Sequence, residues 1–223
     1  MLRKSPGKPR KIEFVGDSIT AGYGVLGRNS DPDFQTYQQD GTASYAYLTT
    51  INCNAEGRFI CNSGKGVVVN CEGDRNAVKA SDYYKYQTRM GGECNDGWVP
   101  DVVVINLGTN DGFGGASDEE FTQGVRDLIA LERERYPKAN IMWVYGMMSL
   151  VYAEALKSVM RELNAKDKKV HFLVVDCINN NANEIGANGH PNINASARVA
   201  ALLSKKIRSI TGWRGAVNEN DGE

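Results

Sequence analysis

Five short apolar runs punctuate the chain, at residues 12–15, 59–61, 102–107, 141–145 and 170–175. The third and fifth are almost continuously apolar, which fits strands buried on both faces, as in a parallel sheet covered by helices. Segments with helical spacing lie between them. Residues 118–136 carry Phe121, Val125, Leu128, Ile129 and Leu131 on one broad face, and Ser117 with Glu120 has the spacing of a capping box. Residues 44–52, 152–165 and 194–210 complete the helical set, with Pro137 and Pro191 at boundaries. Strands alternating with helices predict βαβ units with right-handed crossovers, hence an α/β fold in three layers, α/β/α, on a parallel sheet. In such sheets, sites form beyond the carboxyl ends of the strands. The residues that follow each apolar run are therefore the ones to weigh.

After the first run comes Gly16-Asp17-Ser18. Gly16 permits a sharp exit, and Ser18 then begins a turn or helix where backbone N–H groups lack partners. A nucleophilic serine is well served there, because its own N–H can stabilise an oxyanion. After the second run, Gly64 and Gly66 flank Lys65 and let the backbone approach a ligand; the lysine is misplaced for a phosphate loop. After the third, Asn110 can donate its amide into the same crevice, and Asp111 can tie down the loop. His190 follows the fifth run after a Gly/Asn-rich loop, while His171 sits inside that run and reads as structural. Each feature has a bland explanation when taken singly: a helix cap at Asp17 or Ser18, a glycine turn, an Asn/Asp/Gly turn. Together they supply what acyl transfer requires, namely a nucleophile, a base and oxyanion donors at one sheet edge.

Composition narrows the classes. A chain of 223 residues suits one domain. Lys plus Arg number 26 against 27 Asp plus Glu, so no large field favours nucleic acid or a membrane surface as partner. No apolar stretch reaches the roughly 18 residues of a membrane span; residues 141–151 are interrupted by Gly146 and Ser149. Residues 1–10, with Arg3, Lys4, Lys8 and Arg10, read as a solvated leader, 11–213 as the catalytic domain and 214–223 as a polar tail. The start lacks an apolar signal core, so the expectation is either a cytoplasmic protein or a chain that follows a cleaved signal or another domain. Five cysteines form no C-x-x-C pair and only two histidines accompany them, which argues against a zinc site. Free buried thiols are expected, with a Cys71–Cys94 bridge as the alternative. No metal or cofactor is expected.

The four strand-end segments resemble the four blocks of the SGNH (GDSL-type) hydrolases. Gly16-Asp17-Ser18, Gly64-Lys65-Gly66, Gly108-Thr109-Asn110-Asp111 and His190-Pro191 match them in order, over residues 10–210. Residues 11–20, 63–67 and 104–111 are similar to the catalytic domain of carbohydrate esterase family 2, which removes acetyl groups from plant cell-wall polysaccharides. The resemblance implies a flavodoxin-like five-stranded sheet, no metal and an acetylated saccharide as partner. It also implies a secreted or cell-surface setting, with Ser18 as nucleophile and His190 as base. The oxyanion hole would comprise the Ser18 N–H, the Gly66 N–H and the Asn110 side chain. Two departures stand out. The acid that most SGNH enzymes carry three residues before the histidine is Ala187 here, and Asn188-Gly189 replaces the branch's frequent Asp-aromatic pair. A Ser–His dyad is therefore expected, its imidazole held by a backbone carbonyl, with Asn188 as a further candidate to orient it. The branch's usual N-terminal β-sandwich is not in the sequence and is expected to be absent or to have been removed. The polar segments 29–42 and 91–96, with Tyr37, Tyr45 and Trp98, form either a sugar-binding rim or ordinary packing. The rival functions are a lipase- or thioesterase-type SGNH hydrolase and a catalytically weakened carbohydrate-binding module, the latter supported by Ala187.

Overall fold

The computed structural model describes residues 7–31, 33–84 and 96–214. Arg3, Lys4, Cys94, residues 91–95 and the tail beyond 214 lie outside the described residues. Each apolar run becomes a strand: β1 (Lys11–Gly16), β2 (Glu56–Cys61), β3 (Val102–Asn106), β4 (Asn140–Tyr145) and β5 (Val170–Val174). All pair in parallel in the order β2-β1-β3-β4-β5. This is the flavodoxin-like order, with its reversal between β1 and β3. β2 begins earlier than its apolar run and takes in Glu56 and Arg58, because an edge strand leaves one flank in solvent.

Strand alternation divides the interior into two layers. Ile12, Phe14, Val102, Val104, Met142 and Val144 face one way, against α2 (Tyr45–Asn52) and α7 (Ile193–Thr211). Val103, Ile105, Ile141, Trp143 and Tyr145 face the other way, against α5 (Asp118–Arg135) and α6 (Ala153–Lys166). The Ser117–Glu120 capping box forms in both directions and starts α5. Three short helices, α1 (Ser18–Ala21), α3 (Ala80–Tyr83) and α4 (Thr109–Phe113), have too few turns to leave a periodic signal in the sequence. Cys53, Cys61, Cys71 and Cys177 carry free thiols, and Cys53 alone of the four is fully buried.

One strand residue breaks the apolar pattern. Glu13 points from β1 into the α5–α6 layer, where it accepts a 3.0 Å hydrogen bond from the Tyr136 hydroxyl. Glu132 of α5 is also buried. Burial, reinforced by the charge of Glu13, pushes Glu132 well above the carboxylate value of 4.5, and burial raises Glu13 as well. The folded protein thus keeps protons that the unfolded chain releases above that value. Stability contributed by Glu132 is present at low pH and falls as pH rises above 4.5. Glu132→Gln should gain in Tm relative to wild type as pH is raised from about 5 to about 8. Parallel Tm curves for the two proteins would contradict this.

Candidate active site

The first strand ends in a turn that only glycine fits: a Cβ on Gly16 would lie 2.0 Å from the Thr20 hydroxyl. Asp17 caps α1, its Oδ1 accepting the Ile19 N–H at 2.9 Å. Ser18 is the first residue of α1, so its N–H has no intrahelical acceptor. α4, after β3, carries Asn110 and Asp111. His190 leaves a tight turn ahead of α7.

Ser18 and His190 are 172 residues apart in sequence and meet at 2.9 Å, Oγ to Nε2. The other ring nitrogen, Nδ1, lies 3.1 Å from the carbonyl oxygen of Asn188. A carbonyl only accepts, so Nδ1 must carry the hydrogen, and Nε2 is left to accept from the Ser18 hydroxyl. The carbonyl is aimed by two successive left-handed residues, Asn188 at φ 54 and Gly189 at φ 68. The His190 N–H closes the turn on the Ala187 carbonyl at 3.1 Å. This is type I′ geometry, and Asn-Gly is the pair such turns favour. Burial lowers the pKa of His190 below the usual 6.5, and the bond to Asn188 partly offsets that, so the imidazole is neutral near neutral pH.

The other sequence-predicted residues cluster at the same edge. Asp111 accepts the N–H groups of Val67, Val68 and Val69 at 2.8–3.2 Å and pins the turn after Gly66. The Asn110 amide donates to Asp17 Oδ2 and to the Lys65 carbonyl, each at 3.0 Å. The Gly66 N–H donates to Asn70 Oδ1 at 3.2 Å, and Asn70 is held in turn by the Val78 carbonyl. A cavity of about 290 Å³ opens over the pair, lined by Ser18, Tyr23, Gly64, Asn110, Met148 and His190 among others. Gly64 lines it; Gly66 stands behind that lining. His171, as expected, is remote from the site, with Nε2 beside Asn140 Oδ1.

None of the three candidate rim aromatics lines the cavity. Tyr45 is buried with its hydroxyl 2.9 Å from that of Thr20, a core contact. Trp98 donates to Glu56 and lies between Lys11 and Arg58, at the amino ends of β1 and β2, the opposite edge of the sheet from Ser18. Tyr37 is exposed but does not line the cavity. Sequence inspection passed over Tyr23, whose ring packs 4.5 Å from the imidazole, and over Asn70 and the second oxygen of Asp17. Nothing in spacing or composition marks these contacts: those of Tyr23 and Asp17 join loops far apart in sequence, and that of Asn70 depends on how one irregular loop folds on itself. Burial, opposed by the Ile19 bond and aided by the charge of Asp111, raises Asp17 to about 7.

The profile of the GDSL-like lipase/acylhydrolase family matches residues 14–217. The chain belongs to that family. It is 33% identical over 213 residues to the cellulase/esterase CelE of Acetivibrio thermocellus, covering 92% of this chain but 26% of CelE. A family two carbohydrate esterase from Clostridium thermocellum, solved with cellohexaose, superposes with a TM-score of 0.88 at 30% identity, over 96% of this chain and 68% of that one. The acetyl xylan esterase Est2A from the rumen bacterium Butyrivibrio proteoclasticus superposes at 0.82 with 25% identity, over 95% and 67%. These solved relatives are the carbohydrate esterase branch to which the motifs pointed.

The Asp111 bracket gives the prediction for this site. Asp111→Ala leaves three backbone N–H groups without their acceptor and should lower stability by about 2–4 kcal/mol in denaturant titration. A loss below about 0.5 kcal/mol, the scale of an ordinary surface substitution, would show that the bracket is dispensable.

Proposed function

We propose that the protein is a serine esterase that removes acetyl groups from acetylated plant polysaccharides or their oligosaccharides. The observation that carries this is the 2.9 Å contact between Ser18 and an imidazole whose tautomer is set by the Asn188 carbonyl, beneath an open cavity. His190 takes the Ser18 proton as Oγ attacks the acetyl carbonyl. The Ser18 N–H and the Asn110 amide, both at the cavity, stabilise the tetrahedral oxyanion; the sequence-expected Gly66 N–H is spent on Asn70 behind the lining. Collapse expels the sugar oxygen, which receives its proton from His190. Water, deprotonated by His190, then attacks the acyl-enzyme; acetate leaves and the proton returns to Ser18.

The substrate class rests on the likeness to the family two esterase solved with cellohexaose and to the acetyl xylan esterase. Phe113, 65% exposed at the cavity wall, offers an apolar face against which a sugar ring can pack. A polymeric plant substrate fits a secreted or cell-surface protein, and among the described residues no helix is long and apolar enough to cross a membrane.

Acetate release from acetylated xylan, acetylated glucomannan and a series of 4-nitrophenyl acyl esters tests the proposal. Acetyl esters should be cleaved fastest, and Ser18→Ala should abolish turnover of all of them. Activity retained by that variant would sink the nucleophile assignment. A preference for long acyl chains would favour a lipase-type hydrolase, and saccharide binding without any turnover would favour a binding module. The base also sets a pH limit. His190 must be neutral to act and its pKa lies below 6.5, so the acid limb of kcat/KM should have its midpoint below 6.5. A midpoint above 6.5 would mean that another group governs the limb.

A further inference from the structure

The loop that presents His190 is held firmly at its ends and lightly in its middle. The Ala187 N–H donates to the Gly24 carbonyl at 3.1 Å, the Gly186 N–H to the His190 carbonyl at 2.6 Å, and the His190 N–H to the Ala187 carbonyl. These bonds fix Ala187 and His190. They leave the Asn188–Gly189 peptide, whose carbonyl orients the imidazole, without a backbone bond of its own. One side-chain contact reaches it: Asn188 Nδ2 donates to the Tyr23 hydroxyl at 3.3 Å. Tyr23 is itself braced. Its ring stacks on Phe34 with centroids 3.8 Å apart and planes 14° apart, and its other neighbour is the imidazole, 4.5 Å away at 44°.

We propose that Tyr23 is a positioning residue that stands in for the absent acid of the triad. Its hydroxyl holds Asn188 in the left-handed conformation that turns the carbonyl onto His190 Nδ1, and its ring keeps the imidazole from swinging off Ser18. The inference rests on the catalytic reading of Ser18 and His190. A carboxylate would both orient the ring and offset the charge of the imidazolium; the Tyr23–Asn188 pair orients it and adds no charge. The titratable groups around the imidazole are Ser18 at Nε2, Tyr23 against its face and Cys71 across the cavity, with Asp17 behind Ser18 on Asn110. The main influences on the His190 pKa are burial and the Asn188 carbonyl. Tyr23 supplies part of the first and secures the second, so its ring and its hydroxyl act on the pKa in opposite directions.

The test separates ring from hydroxyl. Tyr23→Phe keeps the ring and removes the acceptor. With 4-nitrophenyl acetate its kcat should fall about five- to tenfold with KM nearly unchanged, the effect of one modest hydrogen bond. Its acid limb should move to lower pH, because the imidazolium loses part of its carbonyl contact. Tyr23→Ala also admits water, and its limb should move the other way, toward 6.5. Asn188→Ala removes the donor, and combining it with Tyr23→Phe should cost less than the product of the two single losses. An unchanged kcat and pH limb in Tyr23→Phe, a loss confined to KM, or a fully multiplicative double variant would each overturn the proposal. Proton NMR of the His190 Nδ1–H reads the same contact without turnover. Its resonance should shift in both Tyr23→Phe and Asn188→Ala, so either variant suffices if the other fails to fold. An unshifted resonance would overturn the positioning role even if Ser18→Ala had already disproved catalysis. A shifted one would uphold the role independently of that result.

Discussion

The imidazole of His190 can serve Ser18 only while Nε2 is unprotonated and pointed at Oγ, and a single backbone carbonyl, that of Asn188, enforces both conditions. A carbonyl dipole is a weaker and more directional partner than a carboxylate. It fixes the tautomer through geometry, so the geometry must be rigid. That requirement accounts for the left-handed Asn188-Gly189 pair, for the clasp between Ala187 and Gly24, and for the aromatic stack of Phe34 and Tyr23 against the imidazole. The sheet order contributes at the larger scale. β1 lies beside the central strand β3, so the turn bearing Ser18 and the turn bearing Asn110 leave the sheet side by side.

The donors around the cavity are not idle in the absence of substrate. The Asn110 amide lies on Asp17 and Lys65. In the proposed mechanism an acetyl carbonyl competes with the Asp17 and Lys65 oxygens for the Asn110 hydrogens. The ground-state carbonyl competes weakly and the oxyanion strongly, which is the differential binding that accelerates a reaction. Asp17 bears on the same balance. A full negative charge beside Asn110 would oppose oxyanion formation, and burial keeps that carboxyl largely protonated below about 7.

The layout of the fold was legible because the apolar runs are long enough to name the strands and the sites of a parallel sheet sit at strand ends. Ser18, Asn110 and His190 were found in that way, and the missing acid at Ala187 led directly to the expectation of a carbonyl-held imidazole. Tyr23 and the second oxygen of Asp17 were not legible, since each acts through a contact between loops whose relative placement no local pattern encodes, and Asn70 was not, because its bond to Gly66 depends on how an irregular loop folds on itself. Trp98, open in the sequence between a rim and ordinary packing, takes the second role: it follows a polar segment but packs at the amino end of the sheet. Glu13 shows the converse. Its charge interrupts an apolar run, yet strand alternation carries it into the core, where the Tyr136 hydroxyl meets it.

The absence of the acid changes how proton transfer is divided between the two halves of the reaction. In the proposed reaction, a histidine with a depressed pKa is a weaker base for Ser18 but, once protonated, a stronger acid for the departing sugar oxygen. A sugar alkoxide is a poor leaving group that must be protonated as it departs, so acidity in the imidazolium lowers the second barrier while raising the first. The attack is helped by the oxyanion donors, which stabilise the developing negative charge and reduce the demand on the base. In the proposed reaction a neutral partner orients His190, which places the burden of catalysis on the loop that holds the Asn188 carbonyl in line.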